Sequence, residues 1–249
     1  MGDQSTPLPP LSLFSTLRWD VVRRHVERLR PESILEFGCG AGGFGARFSR
    51  LAAYTGVEPD ATSHAIAAER VRGCGGNVVH GDHRALPDGA EYDLVCAFEV
   101  LEHIEDDKGT LAAWMAFVRP GGHLMLSMPA WPERYGPLDG RAGHLRRYEP
   151  EVVRELLIGA GLEGPRIELI GWPVGYALEA MRNRLAARKR EQFGGLTMQQ
   201  RTASSARFFH LGGPVGSAAT RALAFPFRHL QRLRPTAGTC LVAIARQPG

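Results

Sequence analysis

Three observations predict a doubly wound α/β fold: short apolar strands alternate with amphipathic helices, a glycine-rich turn directly follows the first strand, and the chain ends on one more strand. With 249 residues, 44% hydrophobic and 22% charged, there is enough apolar material for one large core, which excludes disordered, collagenous and disulfide-scaffold classes. The longest apolar runs, such as LVCAF and LMLSM, are strand-sized, well short of the roughly 20 residues that cross a bilayer. The opening MGDQSTPLPPL has neither the cationic start nor the apolar stretch of a secretory signal, so a cytoplasmic location is expected. Cys39, Cys74, Cys96 and Cys240 form no CxxC pair, which predicts free thiols and no zinc site.

Taken in order, Ser15 to Leu29 places Leu17, Val21, Val22, His25, Val26 and Leu29 at helical spacing. SILEFGCGAGGFGARFSRLA then reads as strand, glycine turn and helix, YTGVEP as a second strand, and Asp60 to Val71 as a second helix. NVVHGD and EYDLVCAFE are strands, DKGTLAAWMAFV a helix, GGHLMLSMP a strand, EPEVVRELLIGAG a helix and RIELIGW a strand. After Trp172 the rhythm breaks. GYALEAMRNRLAARKREQF and VGSAATRALAFPFRHLQRL read as helical, Pro226 arguing against one uninterrupted helix in the second, before TCLVAIARQ returns to strand.

Charge divides the chain in the same way. From Arg182 to Arg234 there are eleven Arg and Lys against the one acid Glu191, a local balance of +10; with the whole chain at +4, the rest carries −6. The expected organisation is an N-terminal helical segment (1–30), an α/β core (31–174), a basic helical insertion (175–235) and a final core strand (236–249).

Gly38, Gly40 and Gly43 satisfy G-x-G-x-x-G after a strand, and Glu58 lies twenty residues beyond Gly38, which admits a dinucleotide site. The acids argue for a different ligand. Glu36, Glu58, Asp82 and Glu99 each fall at the end of one of four consecutive strands. A carboxylate at Glu36, expected to face the ligand, would repel a pyrophosphate but attract a sulfonium or ammonium. The set therefore suggests a cationic adenosine ligand such as S-adenosylmethionine, with Glu58 accepting from ribose hydroxyls and Asp82 from the adenine amino group. A dinucleotide-dependent oxidoreductase and a degenerate, non-enzymatic scaffold stay open on these residues alone.

In register, LEFGCGAGGFG, VEPD, GD, YDLVCAFEVLEHIED and RPGGHLMLSMP resemble the class I S-adenosylmethionine-dependent methyltransferases, notably the branch of ubiquinone-biosynthesis O-methyltransferases; GHLRRYEPEVVRELLIGAGL extends the match to about Leu162. The resemblance implies a mostly parallel, seven-stranded Rossmann-like sheet with an antiparallel last strand. It implies that Glu36, Gly38 and Gly40 hold the methionyl part of the donor and Glu58 with Pro59 the ribose. Asp82 and His83 would flank adenine, and Phe98, Glu99 and His103 would lie beside the amino-acid end. The long insertion departs from the small representatives of the family, so the acceptor is not carried over.

Methyl transfer is an in-line displacement needing a nucleophile held about 3 Å from the methyl carbon, with a base only where the acceptor must lose a proton. His144, in GHLRRY after the fifth strand, and His103, in EVLEHI, are the candidate bases. Arg146, Arg147 and Tyr148 are the candidate acceptor anchors. Asp106-Asp107 reads as a helix cap, and no metal is expected. The sequence thus predicts methylation of a small molecule, most readily on oxygen, with a lipid-like acceptor at a membrane surface or NAD-dependent oxidoreduction as alternatives. The basic insertion is expected to cover the acceptor, or to make a peripheral contact with an anionic membrane, rather than to bind nucleic acid.

Overall fold

The structure is a computed structural model that describes residues 7–188 and 214–249. Helix α1 (Leu13–Leu29) starts where the Ser12 side chain accepts the Ser15 amide, two residues before the predicted start, and stops as Arg30 turns left-handed. There follow β1 (Ser33–Phe37), α2 (Gly45–Phe48), β2 (Ala53–Glu58), α3 (Ala61–Arg72), β3 (Asn77–His80), β4 (Tyr92–Phe98), α4 (Asp107–Met115) and β5 (Val118–Pro129). The chain continues through α5 (Pro137–Ala142), α6 (Pro150–Gly159), β6 (Glu163–Gly171), α7 (Val174–Arg188), α8 (Pro214–Leu233) and β7 (Gly238–Arg246).

The seven strands form one sheet in the order β3-β2-β1-β4-β5-β7-β6. β1 to β5 pair in parallel, and β7 runs antiparallel to both neighbours. The order reverses between β1 and β4, where a doubly wound sheet opens its crevice beyond the carboxyl ends of the strands. Both faces are buried, as strand alternation requires. Val95, Ala97, Leu124 and Leu126 join Leu111 and Trp114 of α4 and Val153 and Leu157 of α6 on one side. Leu94, Cys96, Phe98 and Met125 join Val21, Val22 and Val26 of α1 with Phe44 and Phe48 on the other.

Two elements differ from their sequence reading. The helix after the glycine turn is only one turn long, because the run Gly38 to Gly43 keeps the chain in turns until Gly45. By contrast, α8 passes straight through Pro226. An interior proline costs a helix about 3 kcal/mol, but here the residues around it are anchored. Arg228 and Arg232 both bond the buried Asp20 carboxylate of α1, at 2.8 and 2.6 Å, and the Gln231 side chain donates to the Leu17 carbonyl and accepts from the Gly171 amide.

Candidate active site

The glycine turn is built to approach something closely. Gly38 and Gly40 have φ of 66° and 55°, a region that L side chains rarely enter. A Cβ at Gly38 would lie 2.5 Å from a Val100 methyl, whereas one at Gly40 would meet nothing within 4 Å, so open space lies above Gly40. The Glu58 carboxylate closes the turn from the side, accepting the Gly40 amide at 2.7 Å and the Asp60 amide at 2.9 Å. Burial pushes the Glu58 carboxyl above its ordinary value and these two amides pull it back. Because α2 has a single turn, there is no long run of aligned peptide dipoles here to receive a pyrophosphate.

Glu36 lies deeper than its place at a strand end suggests. Strand alternation turns it under the glycine turn, to the α1 side of the sheet, where it is 3% exposed and accepts a 2.6 Å bond from the Tyr54 hydroxyl. Burial raises its carboxyl to about 8, against 4.5 for a free side chain. It is a core group held by the Tyr54 hydroxyl, and the open space lies at Gly40. The folded state therefore keeps a proton that the unfolded chain releases above about pH 4.5. Its contribution to stability is complete below that pH and is lost as pH rises through about 8. Denaturant unfolding should show stability falling by a few kcal/mol across this window and a flatter profile in Glu36→Gln.

The other expected donor contacts are distributed unevenly. Asp82 caps the short 3-10 turn His83–Ala85 and is chelated by the exposed Arg84; Pro59 is exposed beside Glu58. Phe98 is buried in the core, its ring 5.2 Å from that of Phe44. Glu99 turns left-handed at the end of β4 (φ 57°), and its carboxylate takes Arg18 of α1 at 2.9 Å and Ser127 and Cys240 at 3.2 Å. Tyr54 and Arg18 carry no motif. Only tertiary packing reveals them.

His103 and His144 come together, ring centroids 4.8 Å apart and edge to face. His103 Nδ1 lies 3.1 Å from the Gly143 carbonyl and so donates to it, which leaves Nε2 as the basic nitrogen; burial and the neighbouring His144 lower its pKa to about 4. His144 Nδ1 faces Asp139 at 2.8 Å, the arrangement in which a carboxylate orients an imidazole and leaves Nε2 to accept a proton. A cavity of about 90 Å³ beside it is bordered by Glu99, His144, Arg147, Glu179 and Arg182, the last two from α7.

Arg146, Arg147 and Tyr148 do not stand as free acceptor anchors. Arg146 is paired with Asp107, and Tyr148 is 4% exposed with its hydroxyl donating to the same carboxylate, so neither borders the cavity. Arg147 does border it, but its guanidinium is spent on Asp139 in a two-pronged pair and on Glu179. The ligand-type atoms of Glu102, His103 and His144 lie within 4.8 Å of one another, a donor set of the kind that holds a divalent cation, where the sequence reading expected none. Glu102 is wholly buried and neither of its oxygens has a hydrogen-bond partner. Asp106, by contrast, caps α4, accepting the Gly109 amide.

Similarity to known proteins extends to the family and the fold. A family described as "Methyltransferase domain" matches residues 15–164. The ubiquinone biosynthesis O-methyltransferase of Acinetobacter baumannii is 27% identical over 133 residues, covering 50% of this chain and 55% of that protein. The chain thus spans about half the length of the curated relatives it matches. Among solved structures, the YcgJ protein of Bacillus subtilis superposes with a TM-score of 0.59 at 13% identity, over 94% of this chain and 99% of that one. A SAM-dependent methyltransferase from Archaeoglobus fulgidus does so with a TM-score of 0.57 at 16% identity, over 93% and 94% of the two chains. These similarities show the shared fold, and the family match over more than half of its length shows that the chain belongs to the methyltransferase family.

Proposed function

We propose that this protein transfers a methyl group from S-adenosylmethionine to an oxygen nucleophile of a small molecule. The observation that carries this reading is the open glycine turn at Gly40, flanked by the strand-end acids Glu58, Asp82 and Glu99 and lacking a helix N-terminus of useful length. The donor supplies an electrophilic methyl on a sulfonium. Gly40 admits it against the backbone, Glu58 accepts from the ribose hydroxyls, and Asp82, with Arg84 moved aside, accepts from the adenine amino group.

The acceptor enters the cavity between Glu99 and α7, which serves as its cover. His144, oriented by Asp139, takes the acceptor's proton through Nε2, while Arg147 holds Asp139 in place. Membership of the methyltransferase family supports this reading over the oxidoreductase alternative. In calorimetry S-adenosylhomocysteine should bind at micromolar concentration and NADH not at all; the reverse outcome defeats the proposal.

The orphaned carboxylate of Glu102 favours a second reading of the proton step. Glu102, His103 and His144 would hold a divalent cation that lowers the pKa of an acceptor hydroxyl. Under that reading a chelator abolishes turnover and magnesium or zinc restores it; under the first, turnover is unaffected by either treatment.

A further inference from the structure

Helix α8 is mounted the wrong way round for a surface helix. Such a helix normally turns its apolar stripe to the core and its charges to water. At 100° per residue, Ala222, Pro226, His229 and Leu233 fall within about 60° of one another, flanked by Phe225, Leu223 and Leu230. This stripe faces outward: Leu223, Phe225 and Leu233 are 58%, 60% and 74% exposed. The opposite side, with Thr220, Ala224 and Gln231, is buried against the protein.

What holds the helix in that orientation is polar. Arg228 and Arg232 converge on Asp20, and Gln231 bridges Leu17 and Gly171. Removing this polar face from water while leaving three large apolar side chains in it has no benefit to a protein surrounded by water alone. It makes sense when the outward stripe has an apolar medium to enter.

We infer that α8 docks this protein, in the plane of the surface, onto an anionic lipid bilayer. Charge selects this occupant over a second copy of the chain. Asp20 neutralises only one of the two arginines bound to it, both at one border of the stripe, and the exposed Arg234 follows directly after the helix. Two such surfaces repel each other, whereas a bilayer with anionic headgroups attracts them and accepts the stripe. Among the described residues no helix is long and apolar enough to cross a membrane, so the contact is peripheral. This inference stands independently of the methyl-transfer reading.

The test uses the whole chain and vesicles of phosphatidylcholine with or without phosphatidylglycerol. Co-sedimentation should require phosphatidylglycerol, weaken as salt rises, and drop at least about tenfold in the double variant Phe225→Glu, Leu233→Glu, with the thermal midpoint unchanged. Four results would each overturn it: no retention on anionic vesicles, equal retention on neutral ones, retention unaffected by the double variant, or a lowered midpoint in that variant, which would mean that the chain itself covers the stripe. Light scattering that shows a dimer split by the same substitutions would assign the stripe to self-association and overturn it as well.

Discussion

Replacing Glu58 with alanine should weaken S-adenosylhomocysteine binding about a hundredfold in calorimetry. The Glu58 carboxylate is only 7% exposed and acts in two directions. It holds the Gly40 amide at 2.7 Å, fixing the turn against which a ligand must lie, and it keeps acceptor capacity for two ribose hydroxyls. Hydrogen bonds to a charged group contribute roughly 1.5–3 kcal/mol each, so losing the pair costs about 3 kcal/mol or two decades of affinity. Glu58→Gln keeps an acceptor oxygen and should fall between. Wild-type affinity in the alanine variant would place the donor elsewhere.

Asp139→Ala should destabilise the fold by about 3 kcal/mol, on the order of 10 °C in the thermal midpoint, because it removes the two-pronged partner of a buried guanidinium and leaves it Glu179 alone. Asp139 is 1% exposed and receives two bonds from Arg147, one from the Gly136 amide and one from His144. Arg147 in turn ties α7 to the core through Glu179, so the loss reaches the cover over the cavity. His144→Gln leaves the Asp139–Arg147 pair in place and isolates the role in proton transfer. It should lower kcat while leaving S-adenosylhomocysteine affinity unchanged, and a variant with full kcat would remove the Asp139–His144 pair from the reaction.

Local pattern was enough wherever a residue's environment is set by its neighbours in sequence. Asp60 and Asp106 precede apolar helical runs and cap α3 and α4 as short acids at such positions do. The β4 run YDLVCAF is bounded by turns and has the length of a buried parallel strand. The glycines at 38 and 40 mark a turn because no other residue takes positive φ so easily. Pattern misled where distant contacts intervene. Pro226 stays inside α8 because Asp20, some two hundred residues earlier, grips Arg228 and Arg232. Glu36 sits at a strand end, yet the side of the sheet it faces, and hence its protonation, is decided by Tyr54 and the packing of α1.

The amino-acid order by itself determined the alternation of strands and helices, the glycine turn and the acids placed beyond the strand ends, since period, cap and turn chemistry act over a few residues. Which charged groups neutralise one another was decided only by the tertiary structure. It gives Arg18 to Glu99, Arg147 to Asp139 and Arg146 to Asp107, and it turns the apolar side of α8 toward solvent. Pairing of this kind depends on distances across the folded chain, and a buried charge is stable only where the fold has brought its partner.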